Sequence, residues 1–293
     1  MPKLIIFAIL IVLILGAGFY FLEVKDKEIM TKEIKEPKAK SQDVSVRKEK
    51  IDKKPQEKIS IITIFDNYQS NLELETGWGF SCLIKTPEED ILFDTGADSK
   101  TLLSNMKKME IEPGRIDKIV LSHIHGDHIG GLEGALKKNP EVIVYIPSSF
   151  PYRMRKKINS LGAKHQDIKT NQKISENIYS TGELGTWIKE QSLILDTEKG
   201  LTIITGCAHP GIVEIIKKAK EMFPDKKIYL VMGGFHLSGA SDSELERIVR
   251  EFRNLDVQKA APCHCSGDRC RELFLEEYQD DFIKNGVGKI IEI

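Results

Sequence analysis

Apolar residues are distributed along this chain in three distinct regimes. Residues 4–22 form an unbroken run of 19 without a charge, dominated by Ile, Leu, Phe, Val and Ala. Residues 23–58 hold almost no aliphatic or aromatic clusters and are dense in Lys, Glu and Asp. From Ile59 onward, short β-branched runs alternate with turn residues and with stretches of helical spacing. The third regime predicts strands at 59–65, 80–86, 90–93, 116–121, 142–146, 192–196, 201–205, 227–231 and 257–261. It predicts helices at 99–109, 153–161, 212–223 and 242–255, with a further helical stretch starting at Leu132. Hairpin-like strand groups interspersed with helices argue for α/β sheets covered by helices, a four-layer sandwich being one solution.

The first two regimes set the domain plan. A 19-residue uncharged run matches a bilayer-spanning helix and exceeds the usual hydrophobic stretch of a signal peptide. Residues 1–22 are therefore expected to be an uncleaved N-terminal transmembrane anchor, with 23–58 a charged flexible linker unable to bury enough apolar surface to fold. A charged helix is the second reading of that linker. The catalytic domain is expected at 59–293. Only Lys3 precedes the span, whereas Lys25, Lys27, Lys32, Lys35, Lys38 and Lys40 follow it, which favours a cytoplasmic C-terminal side. The odd count of five cysteines is compatible with that reducing side. The formal net charge of −1 supplies no field for nucleic acid, and no nucleic-acid partner is expected. No Gly-x-Gly-x-x-Gly or Gly-x-x-x-x-Gly-Lys occurs, so nucleotide-binding folds have no anchor.

The strand at 116–121 runs into the densest chemistry of the chain, Leu121-Ser122-His123-Ile124-His125-Gly126-Asp127-His128-Ile129-Gly130-Gly131. Three of the 7 histidines fall within six positions, with an aspartate among them. On extended chain His123 and His125 point the same way. Asp127 and His128 follow at the turn, and Gly130-Gly131 is expected to let the backbone bend sharply before Leu132. Imidazoles and a carboxylate at this density are the ligands zinc and related divalent ions prefer.

Three later loops, each following a short apolar strand, carry further donors. They are Thr205-Gly206-Cys207-Ala208-His209-Pro210-Gly211, Gly233-Gly234-Phe235-His236, and Pro262-Cys263-His264-Cys265-Ser266-Gly267. All are expected to gather at one edge of the sheets, where scaffolds place their chemistry. Cys263, Cys265 and Cys270 with His264 also admit a small zinc knuckle, or a Cys265–Cys270 disulfide, although the ordinary Cys-x2-Cys pairs are missing.

Asp94-Thr95-Gly96, the His-x-His-x-Asp-His run and the two late histidines together resemble the metallo-β-lactamase fold superfamily. Trp78-Gly79-Phe80-Ser81, the Cys207–Gly211 loop, Gly233-Gly234-Phe235-His236-Leu237 and Cys263-His264-Cys265-x-Gly267 resemble one branch, that related to the archaeal dihydropterin (ribofuranosyl-aminobenzene phosphate) synthase. The resemblance covers about 59–293. It implies a four-layer αββα sandwich with two divalent ions, Zn2+ first, with Mn2+ or Fe2+ as alternatives. His123 and His125 would hold the first ion; Asp127, His128 and His264 the second. The chain departs from the family pattern where a strand-end aspartate normally bridges both ions, because Thr205-Gly206-Cys207 stands there. His209 is expected to complete the first site, and Cys207 is read either as a bridging or second-site thiolate or as a small buried residue. Glu183 stands about where a separate family histidine would be, and is expected to support a ligand or face substrate. Asp94 is expected to support the ligand loop from behind, and His236 to face substrate or support a ligand.

Two ions close together activate water and polarise an oxygen, so the leading expectation is hydrolysis of an ester or phosphoester, with Asp127 as general base. A synthase-type condensation of a pterin with a phosphorylated partner, and a membrane-tethered metal or redox sensor, are the alternatives. The substrate is expected to be a small molecule, with an anionic one as a candidate. Arg153, Arg155, Lys156, Lys157 and Lys164 are read first as a solvated helix face and second as its anion-binding surface.

Overall fold

The computed structural model describes residues 59–293. The anchor and linker expected at 1–58 lie outside the described residues. Among the described residues no helix is long and apolar enough to cross a membrane.

Two mixed sheets face each other. The first contains β1 (Ser60–Phe65), β2 (Ser81–Lys85), β3 (Asp90–Phe93), β4 (Lys118–Val120), β5 (Ile143–Pro147), β6 (Lys164–Ile168) and β13 (Ile290–Glu292), in the order β13-β1-β2-β3-β4-β5-β6. The second contains β7 (Thr170–Ser175), β8 (Ile178–Gly182), β9 (Leu193–Thr197), β10 (Gly200–Thr205), β11 (Ile228–Gly234) and β12 (Val257–Cys263), in the order β12-β11-β10-β9-β8-β7. The hairpin strands pair antiparallel, whereas β3-β4-β5-β6 and β10-β11-β12 pair in parallel. Parallel pairing requires a crossover between strands, and most crossovers here are helical. These helices are α1 (Ser99–Lys108), α2 (Gly126–Ile129), α3 (Leu132–Lys138), α4 (Tyr152–Ser160), α5 (Ile212–Met222) and α6 (Asp242–Asn254), followed by α7 (Asp268–Tyr278).

Alternation along the strands divides their side chains between an inner and two outer cores. Ile91 and Phe93 of β3 point between the sheets and meet Ile204, Leu230 and Met232 from the second sheet. Leu92, between them, turns outward onto Leu102 and Met106 of α1 and Leu132 and Leu136 of α3. On the far side Leu201 and Ile203 of β10 pack under Ile212 and Ile216 of α5 and Ile248 and Phe252 of α6. Helices thus cover the outer face of each sheet. Asp98 starts α1 by accepting a hydrogen bond from the Thr101 amide at 2.8 Å, as an N-cap carboxylate does.

The structure adds elements that periodicity did not predict. Strands β6 and β7 read Lys-His-Gln-Asp-Ile and Thr-Asn-Gln-Lys-Ile-Ser and are largely exposed. Each ends its sheet, and an edge strand needs no continuous apolar run. Helix α7 buries only Cys270, Arg271, Phe274 and Tyr278, too sparse a stripe to stand out. The role of Gly130-Gly131 also differs. Gly130 has φ −64° and Gly131 φ −80°, ordinary helical values rather than a sharp bend. A Cβ at Gly130 would stand 1.8 Å from the Ala97 carbonyl oxygen, and one at Gly131 would stand 2.1 Å from that of Thr95. These glycines are needed because two loops touch, not because the chain turns.

Candidate metal centre

The loops after β3, β4, β10, β11 and β12 meet at the C-terminal edge of the parallel strands, as the sequence predicted. His123 and His125 follow β4, Asp127 and His128 lie in α2, Cys207 and His209 follow β10, His236 follows β11 and His264 follows β12. Their potential ligand atoms fall into two main groups, each with all members within 4.8 Å of one another. One is His123, His125 and His209; the other is Asp127, His128, Cys207 and His264. A third grouping of Cys207, His209 and His236 places Cys207 next to both.

Distances inside the groups test whether an ion fits. A tetrahedral ion with ligands at about 2.0–2.1 Å has ligand–ligand edges of about 3.3 Å. His125 Nδ1 is 3.1 Å from both His123 Nε2 and His209 Nε2. In the second group Asp127 Oδ2 is 3.3 Å from His264 Nε2 and 3.7 Å from His128 Nε2, and His128 Nε2 is 3.2 Å from Cys207 Sγ. The buried His264 Nε2 has no hydrogen-bond partner, a cost normally avoided unless something else satisfies the nitrogen. Both groups fit a divalent ion, and a set of imidazoles with a thiolate favours zinc, or iron, over magnesium.

Behind the ligands stands a layer of oxygen atoms that fixes each ring. Ser122 Oγ lies 2.9 Å from His123 Nδ1, Asp94 Oδ2 lies 2.7 Å from His128 Nδ1, and Asn67 Oδ1 lies 3.1 Å from His264 Nδ1. In each case the other nitrogen, Nε2, is left facing the centre, the arrangement that orients metal-binding histidines. Asp94 is fully buried and also accepts from the Ser122 amide and hydroxyl at 2.7 Å each. Its expected supporting role is what the geometry provides. Asp94, Ala208, His236 and His264 all adopt positive φ between 55° and 58°, or 49° for His264. Each such non-glycine residue stores local strain, and here four of them share one rim.

Three supporting residues escaped the sequence reading. Glu190, fully buried, accepts from the amides of Cys207, Ala208 and His209 at 2.9 Å, from that of Gly206 at 3.2 Å and from the Thr205 hydroxyl at 3.0 Å. One carboxylate thus shapes the whole Cys207–His209 turn. Asp66 accepts from the His264 amide at 3.3 Å and Asn67 orients that ring. The pair Asp66-Asn67 follows strand β1 as Asp94-Thr95 follows β3, a parallel that marks a strand-end acid. Glu190 had no comparable mark.

Other expectations are corrected. Glu183 accepts from the Ser149 amide at 2.6 Å and belongs to neither group of donors. The family's separate histidine therefore has no counterpart in Glu183. Cys263 lies in the inter-sheet core and Cys270 beneath α7, so they form no zinc knuckle, and all five cysteines are free thiols. Cys265 instead approaches Cys207, with the sulfurs 3.3 Å apart. Arg155 is engaged by Asp167 at 2.9 Å and by the Ser148 carbonyl at 2.8 Å, and Lys157 by Glu133 at 3.0 Å. Those two cations serve the protein's own surface rather than a substrate anion.

Burial and charge set the protonation of the donors. Burial, aided by neighbouring rings, holds His123 and His209 below the ordinary value, His209 at about 4. Burial also lowers His125. Neutral rings are what metal binding requires. Burial pulls against the His128 cation, but the Asp94 carboxylate outweighs it and the imidazole is held above its usual value. Burial raises Asp127, yet its close approach to His264 and the His128 charge prevail and leave it at about 2. That value suits a ligand better than the general base expected from the sequence. Cys207 and Cys265 compete for one proton: the Cys207 hydrogen bond, helped by His236, lowers Cys265, while Cys207 rises.

A pH dependence follows. The unfolded chain takes up a proton on His209 near pH 6.5, the folded metal-free chain only near 4. The group's contribution to stability is complete above 6.5 and declines as pH falls toward 4, because the unfolded state then binds more protons. Thermal melting of chelator-treated protein should show a falling Tm across that interval, and a flat profile would contradict the depressed value.

Comparison with known proteins agrees with this architecture. A family model described as the Metallo-beta-lactamase superfamily matches residues 79–217. The 7,8-dihydropterin-6-methyl-4-(beta-D-ribofuranosyl)-aminobenzene-5'-phosphate synthase of Methanocaldococcus jannaschii is 30% identical, the match covering 80% of this chain and 96% of that protein. A solved metal-dependent hydrolase of the beta-lactamase superfamily superposes with a TM-score of 0.69 at 27% identity, covering 80% of this chain and 99% of the other. The metallo-beta-lactamase fold protein YhfI of Bacillus subtilis gives a TM-score of 0.60 at 13% identity over 80% and 99% of the two chains, a likeness of fold alone. Two facing sheets, the clustered histidine loops and a relative matched over nearly its whole length lead to one assignment: this chain belongs to the metallo-beta-lactamase superfamily, in keeping with the branch related to the archaeal dihydropterin synthase.

Proposed function

We propose that the chain is a two-metal enzyme that condenses a dihydropterin with a phosphorylated aminobenzene partner. The observation that carries this reading is the match to the archaeal synthase over 96% of its length, combined with two adjoining donor groups. In the proposed reaction the arylamine nitrogen attacks the 6-methyl carbon of the dihydropterin. The group activating that carbon departs with its electron pair, and the nitrogen loses a proton. His123, His125 and His209 would hold one ion; Asp127, His128, Cys207 and His264 would hold the other. When bound, the ions supply Lewis acidity toward the departing oxygen.

The chain's own residues position and protonate. Ser122, Asp94 and Asn67 keep the imidazoles aimed inward, and Glu190 keeps the Cys207–His209 turn closed. The exposed imidazole of His236, its ring centroid 4.4 Å from that of His209, is held above its ordinary value by its hydrogen bond with Cys265. That upward shift favours the protonated ring, which can deliver its proton to the departing group. Replacing it, as His236→Gln, should lower kcat by about 10²-fold or more while metal content stays at the wild-type level. A parallel loss of metal would make His236 a ligand instead.

Hydrolysis is the second reading, favoured by the likeness to a solved metal-dependent hydrolase at 27% identity. The two are separated by incubating zinc-loaded protein with an activated 6-methyl dihydropterin and 4-(β-D-ribofuranosyl)aminobenzene 5'-phosphate, in parallel with phosphodiester, thioester and lactone substrates. A joined product detected by mass spectrometry supports condensation. Cleavage of esters with no joined product replaces it with hydrolysis.

A further inference from the structure

The chain contains two tryptophans, and both are exposed, Trp78 at 56% and Trp187 at 96%. A single surface aromatic needs no explanation, but Trp78 packs against the donor set and Trp187 stands in a loop that Glu190 ties to it. Trp78 precedes Gly79, where a Cβ would lie 2.5 Å from the Asp127 carbonyl oxygen, and the Phe80 amide donates to that same oxygen at 3.2 Å. Its indole packs tilted on the His264 ring, with centroids 5.0 Å apart. Trp187 lies in a loop closed by reciprocal backbone hydrogen bonds between Leu184 and Glu190 at 2.9 and 3.1 Å. A Cβ at Gly185 in that loop would stand 3.3 Å from Pro210 Cγ. Glu190, at its base, holds the amides of Cys207 and His209. The Trp78 indole thus sits on the Asp127–His264 side, and the loop that carries Trp187 is anchored to the His209 turn.

We propose that Trp78 and Trp187 are the stacking walls of a substrate site that seats a fused planar heteroaromatic ring, of the dihydropterin class, over the donor set. This rests on the condensing reading and adds its recognition element. An indole offers a broad π face at small conformational cost, and a flat ring gains most from offset stacking on it. The polar edge of such a ring remains free to meet the imidazoles and carboxylate between the walls. A flexible aliphatic ester gains little from either indole, so the walls select for planarity.

The two tryptophans are also the protein's own reporters. Titrating the full chain with 7,8-dihydropterin should quench intrinsic fluorescence saturably. Trp78→Leu and Trp187→Leu should each weaken binding about tenfold by calorimetry, raise KM more than they lower kcat, and leave zinc content unchanged. Trp78→Phe and Trp187→Phe, which keep a ring, should recover most of the affinity. Unchanged dihydropterin affinity in both leucine variants overturns the walls, even if a joined product is still made and the condensing reading survives. Quenching and variant sensitivity without any joined product leave the walls standing and remove the condensing reading instead.

Discussion

Substituting His123 with alanine is expected to abolish turnover while leaving the fold in place. The ring contributes Nε2 to a group in which every neighbour is another imidazole nitrogen. Its loss leaves His125 and His209 as a pair, too few ligands to hold an ion firmly. The contribution of a metal ion to transition-state charge is several kcal/mol, or about 10³-fold in rate. The ring is fully buried, so the substitution also opens a small cavity, but no charge is stranded because His123 is neutral and its other contact is the Ser122 hydroxyl. The check is a joint measurement of metal stoichiometry, melting temperature and rate. Wild-type turnover in His123→Ala protein would remove the metal centre from the mechanism, whichever reaction it serves.

The second large effect is expected at Glu190, and on stability. In Glu190→Ala protein, four consecutive amides and one hydroxyl lose the carboxylate that accepts from them. Burial raises the acid's own pKa against the pull of those amides, so part of what is gained on deletion is relief of a desolvated charge. Leaving several buried donors unsatisfied outweighs that relief. Removing one side of such a network costs about 3–5 kcal/mol, equivalent to a Tm lower by about 6–20 °C in a domain of this size. Because the freed turn carries Cys207 and His209, zinc affinity should fall by about 10–100-fold as well. Glu190→Ala protein that melts at the wild-type temperature and retains zinc equally well would show that the turn holds itself.

Much of this architecture was legible in the residues. The β3 and β4 runs and the strands β10–β12 were visible because their side chains are buried on both faces and must be apolar, and helix α1 because its apolar positions recur at helical spacing. The ligand loops were visible because histidine is scarce in the chain and clustered where strands end. What failed did so for physical reasons. Strands β6 and β7 are polar edge strands: β6 pairs with β5 across helix α4 and β7 forms a hairpin with β8, and neither carries an apolar run of its own. Glu183 was placed by its spacing alone, but the loop turns its carboxylate onto the Ser149 amide. Glu190 was missed because its role is to accept backbone hydrogen bonds, and that role depends on a turn 17 residues away, which no local pattern encodes. Asp127 was read both as a ligand and as a general base, and its company of His264 and His128, which keeps its carboxyl low, suits it to the first role better than to the second.

The donors come from both halves of the sandwich: His123, His125, Asp127 and His128 from the first sheet, Cys207, His209 and His264 from the second. Ions seated there would act as rivets across the seam, so that the halves could not part without releasing them. Occupancy at a thousand times the dissociation constant adds about 4 kcal/mol to the folded state. Starvation for metal would therefore loosen the body of the protein along with its chemistry, and the supply of the ion would govern how long the chain survives as well as how fast it works.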